Sequence, residues 1–201
     1  MDLFAVFNAI GIVAFAVSGV FKGIAKNLDI LGVSILGFLT ALGGGMLRDT
    51  LSNRTPAVFV GYSDVSFALL GVIIGVFIYK TLKRDISNLM IIKISDAIGL
   101  ATFTVIGAVI GFDKGFNAIG VIVLATLTGT GGGALSDLLI GEIPLILRED
   151  FYASCSIIGA LIFFLIMTQP IEERLAMTIT LFFTLSLRLF AIAKNLSLPR
   201  L

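Results

Sequence analysis

Apolar residues run along this chain in long blocks separated by short stretches of charge, glycine or proline. A helix needs about 20 apolar residues to cross a hydrocarbon layer of roughly 30 Å. Seven blocks approach that length, at about 3–21, 28–47, 62–80, 90–110, 116–136, 151–168 and 175–193. The breaks carry Lys22, Lys26 and Asp29 after the first block, Lys83, Arg84 and Asp85 after the third, and Pro170, Glu172, Glu173 and Arg174 before the seventh. Tyr62, Tyr79 and Tyr152 fall at block ends, where an amphipathic ring suits the membrane interface. The pattern predicts an all-α membrane protein of seven transmembrane helices, forming a single membrane domain over residues 1–201.

Sliding the chain on itself by 88 residues, without a gap, pairs residues 8–56 with 96–144, and 20 of those 49 positions are identical. Chance in a biased composition would give about 5, so duplication is the better explanation. The matches include Phe15/Phe103, Thr40/Thr128, Asp49/Asp137, Pro56/Pro144 and a glycine triplet, residues 43–45 against 131–133. Repeat 1 then covers about 3–82 and repeat 2 about 90–168, with an extra helix at about 175–193. Three crossings per copy reverse direction, so the copies should be inverted about an axis in the membrane plane, as in proteins that move solutes.

Composition narrows the function. Hydrophobic residues make up 58% and charged residues 13%, where a soluble domain carries about 25% charged. Mean hydropathy is +1.10. The absence of histidine removes the commonest general base and zinc ligand, so no catalytic residues, no metal site, no cofactor and no enzymatic role are expected. A net charge of +1 and the lack of a basic cluster interleaved with aromatics argue against a nucleic-acid partner. Cys155, the single cysteine, reads as a small buried hydrophobe. The opening Met-Asp-Leu-Phe lacks the basic segment of a signal peptide, so the first block should stay as a membrane helix. Basic residues outside the blocks divide 4 on the N-terminal side to 9 on the other. The richer side belongs in the cytoplasm, which puts the N-terminus outside and the C-terminus inside.

Three consecutive glycines cost on the order of 3 kcal/mol of helix propensity relative to alanine. Recurrence of Gly43, Gly44 and Gly45 as Gly131, Gly132 and Gly133 suggests that both helices break there. An unwound segment at membrane depth must line water or lie buried in protein. Arg48 and Asp49 follow the first triplet, Ser136 and Asp137 the second. Ionisable groups at such depth are candidates for a pathway. On that reading the two aspartates supply negative potential, Thr40, Thr128, Thr130 and Ser136 offer oxygens to a partly hydrated ion, and Arg48 pairs with Asp49 as a gate. Asp96, matched to Asn8, is a further pathway candidate, or else a partner of Lys93 one turn away. Arg188 lies close enough to the end of its block to snorkel. A competing reading is close packing, since Gly37, Ala41 and Gly45, like Ala125, Gly129 and Gly133, are small residues spaced by four, and Gly71/Gly75 and Gly107/Gly111 are association motifs. The match of residues 129–134 to a dinucleotide fingerprint has no strand before it, and a potassium-filter reading lacks its aromatic residue.

The stretches GGGMLRDTLSNRTP at 43–56 and GTGGGALSDLLIGEIPLILREDFYA at 129–153, in a chain of three plus three plus one spans, resemble the prokaryotic trimeric intracellular cation (TRIC) channels. The resemblance covers nearly the whole chain. It implies a homotrimer in a prokaryotic cell membrane, a pore within each protomer, conduction of monovalent cations including K+ and Na+, and kinks of the second and fifth helices at the two triplets. One departure is that relatives repeat Leu-Arg-Asp in both halves, whereas the second half here reads Leu135-Ser136-Asp137. The same domain type is also labelled a glycine transporter. That keeps a secondary transporter of a small zwitterion such as glycine as the alternative.

Overall fold

The computed structural model describes residues 2–82, 89–148 and 151–196. The described residues form α1 (Leu3–Ala25), α2 (Ile30–Leu51), a 3-10 turn (Ala57–Phe59), α3 (Ser63–Leu82), α4 (Leu89–Asp113), α5 (Ala118–Leu139), a short α6 (Leu145–Arg148), α7 (Ala153–Met167) and α8 (Glu173–Lys194). Six of them, α1 to α5 and α8, are long and apolar enough to cross a bilayer. The sixth expected span is shorter than predicted: α7 has 15 residues, about 22 Å of helix. The expected break at Lys83, Arg84 and Asp85 lies outside the described residues.

Helix ends recur 88 residues apart because the same local chemistry recurs. Asp29 caps α2 by accepting the Gly32 N–H at 2.7 Å, and Asn117 caps α5 by accepting the Gly120 N–H at 2.9 Å. The turn closing α1 puts Asn27 at φ 54°, and that closing α4 puts Gly115 at φ 72°; both are left-handed positions that tolerate these two residue types. In both, the next N–H returns to a carbonyl in the last turn, Leu28 to Gly23 and Phe116 to Gly111.

α1 and α4 pack side by side at the centre, α2 lies against α1 and α5 against α4, and α2 also packs on α5. α3 flanks α1, while α7 and α8 flank α4. The central seam is built from Phe15 and Phe103, matched positions whose rings meet edge to face with centroids 5.2 Å apart. Gly11 lies against the Phe103 ring and Gly99 against the Phe15 ring. Cys155 is fully buried and donates to the Phe151 carbonyl, as a structural residue would.

Both glycine triplets are helical throughout, which corrects the expectation of breaks. The compensation for poor helix propensity is packing. A methyl group on Gly44 would run into the Thr128 carbonyl oxygen, and one on Gly132 into the Thr40 carbonyl oxygen. The contact is reciprocal at matched positions, and it brings the α2 and α5 backbones together where neither carries a Cβ. Gly43 and Gly131 meet Leu135 and Leu47 side chains across the same crossing, whereas Gly45 and Gly133 face polar groups at ordinary contact distances. Gly44→Ala and Gly132→Ala should therefore each lower the thermal midpoint of the purified protein by several degrees, since a backbone atom cannot give way as a side chain can. Gly45→Ala should leave it nearly unchanged.

Candidate functional site

Two cavities open near opposite ends of α1. The larger, about 610 Å3, is lined by Lys22, Lys26, Asp96, Asp137, Glu142 and Arg188 among others. The smaller, about 350 Å3, is lined by Asn8, Arg48, Asp49, Arg54 and Asp64 among others. Their linings correspond through the repeat: Asp137 matches Asp49, Asp96 matches Asn8, and Glu142 matches Arg54. The helices end similarly as well. Asp49 Oδ2 accepts the Ala57 N–H at 3.1 Å, and Asp137 Oδ2 accepts the Leu145 N–H at 2.9 Å, so each aspartate ties the end of its helix to the segment that follows.

The other oxygen of each aspartate holds a cation, and here the halves differ. Arg48 donates from Nε and Nη2 to Asp49 Oδ1, both at 2.9 Å, the pairing anticipated from the sequence. Ser136 stands where the second half would need its arginine, and its hydroxyl donates to the Gly133 carbonyl at 2.8 Å. Lys22 takes over from α1, its ammonium 2.7 Å from Asp137 Oδ1. All four charged groups are nearly buried. The sequence placed Lys22 just past the first block, in a loop. α1 in fact runs to Ala25 and carries Lys22 inside.

Asp96 is 1% exposed and neither of its oxygens makes a hydrogen bond, so of its two readings the structure does not bear out the pairing with Lys93. Tyr152, the match of Asp64, is likewise 1% exposed with an unpartnered hydroxyl, and the Arg188 guanidinium lies 4.7 Å from its ring centroid. Thus Arg188 turns inward and is buried. In the other half Asn8 donates to Asp64 at 3.0 Å. At the mouth of the larger cavity Glu142 accepts from both Lys26 and Arg148. The Lys26 ammonium holds its carboxyl below the usual range, and Arg148 adds to this.

The threonines and the serine fall elsewhere. Thr40, Thr128 and Thr130 each donate to the carbonyl four residues back in their own helix, and Thr40 and Thr128 sit against Gly19 and Gly107 in the α1–α2 and α4–α5 seams. None of them, nor Ser136, lines either of these two cavities. Sequence reasoning missed Lys22, Asp64 and Tyr152. The first had a usable signal, since a copy that loses an arginine beside a buried aspartate must gain a cation from elsewhere.

Equivalence of the two ion pairs is testable. Lys22→Met should destabilise the protein by about 3–5 kcal/mol, because it leaves a buried carboxylate uncompensated. Combining it with Ser136→Arg should restore most of the thermal midpoint, since the introduced guanidinium occupies the position from which Arg48 reaches Asp49.

The glycine transporter family sequence model matches this chain twice, over residues 5–80 and 93–168. Those ranges are again 88 apart. A membrane protein of Bacillus subtilis, UPF0126 membrane protein YvgT, is 42% identical over 77% of this chain and 76% of its own. Among solved structures, a prokaryotic TRIC channel crystallised in 0.5 M KCl superposes with a TM-score of 0.87 at 34% identity, covering 98% of each chain. The TRIC trimeric intracellular cation channel orthologue from Rhodobacter sphaeroides gives 0.87 at 28% identity, over 98% of this chain and 100% of that one. This all-helical, integral membrane chain therefore belongs to the prokaryotic trimeric intracellular cation channel family, whose sequence model carries the description glycine transporter.

Proposed function

We propose that the protein is a monovalent cation channel, permeable to K+ and Na+, working as a homotrimer in a prokaryotic cell membrane with one path inside each protomer. The observation that carries this reading is the placement of Asp49 and Asp137. Each carboxylate lines a cavity, the two cavities lie toward opposite ends of the helices, and each aspartate already holds a cationic group. A carboxylate beside a narrow, low-dielectric path attracts a passing cation far more strongly than it would in bulk water. Between the cavities lies the α2–α5 crossing at Gly44 and Gly132, so conduction requires that crossing to shift and both ion pairs to release. Asp96 belongs to the same path through the larger cavity. We assign the glycine triplets the role of allowing that shift, in place of the static breaks expected from the sequence.

The matched caps, aspartate ties and ring pair support two inverted copies, about 3–82 and 90–168, in a single membrane domain. Their pseudo-two-fold axis would pass between Phe15 and Phe103 and between Gly44 and Gly132. α8 is the addition outside them. With the N-terminus outside, Lys80 and Lys194 face the cytoplasm and Arg54 faces out. In a Cys155→Ser background, an impermeant thiol reagent added to intact cells should label Arg54→Cys and spare Lys80→Cys and Lys194→Cys. The opposite result reverses the orientation.

A carrier of a small zwitterion is favoured by one feature, the presence of both Lys22 and Asp96 on the larger cavity, which could take a carboxylate and an ammonium of one solute. Bilayer recordings under K+ and Na+ gradients separate the readings. A channel gives unitary currents whose cation-over-anion preference falls in Asp49→Asn and Asp137→Asn. A carrier gives no unitary current and saturable glycine uptake.

A further inference from the structure

The turn that closes α5 holds Glu142 over the mouth of the larger cavity. Gly141 takes the left-handed conformation at φ 69°, and the Glu142 N–H returns to the Asp137 carbonyl at 2.9 Å. From there the carboxylate reaches in two directions. One oxygen accepts from the Lys26 ammonium at the end of α1, and the other from Arg148 Nη1 of α6 at 3.2 Å. Three segments are thus tied across one opening, and all three side chains line the cavity.

Lys22 and Lys26 stand one turn apart, so the end of α1 meets the end of α5 through two rungs, Lys22 with Asp137 and Lys26 with Glu142. The side chains of the inner rung are 8% and 6% exposed, whereas those of Lys26, Glu142 and Arg148 range from 31% to 55%. That difference decides how each responds to salt. An exposed ion pair contributes little and is screened as the Debye length falls from about 30 Å at 0.01 M to about 3 Å at 1 M, while a buried pair is screened much less. Rising ionic strength therefore loosens the outer rung and leaves the inner one in place.

The first half makes the same turn without the bridge. Asn53 is left-handed at φ 53°, and the Arg54 N–H returns to the Asp49 carbonyl at 2.8 Å. At the positions of Lys26, Glu142 and Arg148, however, stand Lys114, Arg54 and Val60. Two cations and an apolar residue have no carboxylate to join them, so this bridge belongs to the larger cavity alone of the two.

We propose that Lys26, Glu142 and Arg148 form a salt-released strap across the mouth of the larger cavity. At low ionic strength the strap is closed and limits access to the cavity wall; rising ionic strength opens it by screening, with no particular ion required. On the orientation proposed above this mouth faces the cytoplasm, so the strap makes the path respond to the salt content of the cell. That consequence rests on the channel reading, whereas the opening of the mouth does not.

The test places a thiol behind the strap. In a Cys155→Ser background, Ile92→Cys puts a cysteine on the cavity wall and Lys194→Cys supplies an exposed control. Purified protein in detergent is labelled with an uncharged maleimide, whose own approach is not screened, between about 20 mM and about 500 mM salt. Labelling of Ile92→Cys should quicken roughly threefold over that range, equally in KCl and choline chloride, while Lys194→Cys stays constant. Adding Glu142→Gln should make labelling fast at every salt concentration. Exchanging the partners, Lys26→Glu with Glu142→Lys, should restore part of the salt dependence, which a merely structural role of Glu142 would not. Rates independent of salt in the parent, a rise in KCl that is absent in choline chloride, or an undiminished salt dependence in Glu142→Gln overturns the proposal. K+ flux into proteoliposomes is scored separately. Salt-dependent labelling without flux keeps the strap and removes the channel, whereas flux with salt-independent labelling does the reverse.

Discussion

The structure depends on one close approach, that of the α2 and α5 backbones at Gly44 and Gly132. Each glycine lies against a carbonyl of the opposite helix, at Thr128 and Thr40, so any side chain there would force the helices apart. In a bilayer there is little hydrophobic gain from bringing two apolar helices together, and contact through small residues is what holds them. The crossing also fixes where chemistry can occur. Asp49 lies one to two turns beyond Gly44 and Asp137 the same distance beyond Gly132, on helices running in opposite chain directions relative to the crossing. One short contact therefore sends two carboxylates to two separate cavities.

Burying charge beside that contact demands compensation, and the two halves reach it by different routes. Asp49 is held by the residue before it, and its second oxygen by the Ala57 amide. Asp137 keeps the equivalent amide bond to Leu145 but takes its cation from α1. A carboxylate with one oxygen on a backbone amide and the other on a cation is nearly saturated, which explains how such groups persist so far inside. The exchange of Arg48 for Ser136 is tolerable only because Lys22 of α1 stands beside Asp137, whereas its match Ile110 of α4 lines the cavity of Asp49. The two substitutions are read together as one displaced charge.

Much of this was legible in the sequence because duplication repeats local signals. The paired aspartates were read from residue type and an offset of 88, and the structure adds caps at Asp29 and Asn117 and left-handed turns at Asn27 and Gly115 at the same offset. The triplets were read as helix breaks, and the residues there are helical. Propensity argues for unwinding, but tertiary contact outweighs it when the missing side chain is what allows the contact. The hydroxyl residues were misplaced for a related reason: a buried threonine in a membrane helix can satisfy itself on its own backbone, so a polar residue near a triplet need not face water. Lys22, Asp64 and Tyr152 were hidden by boundary position. Each lies close to a block end, where a charge or phenol ordinarily marks the interface, and only the packing of distant helices brings them inside.

The different sources of the two cations have a mechanical consequence. Arg48 and Asp49 are neighbours on α2, so their pair moves as a unit with that helix and is indifferent to how α2 sits against anything else. Lys22 and Asp137 belong to α1 and α5, 115 residues apart in sequence, and their bond is strained or released whenever those helices shift relative to one another. Since α5 is also the helix that meets α2 at the glycine crossing, a movement there is felt by the Lys22 pair and not by the Arg48 pair. The repeat holds two equivalent carboxylates, and the difference between Arg48 and Ser136 leaves a single one of them coupled to the relative motion of the helices.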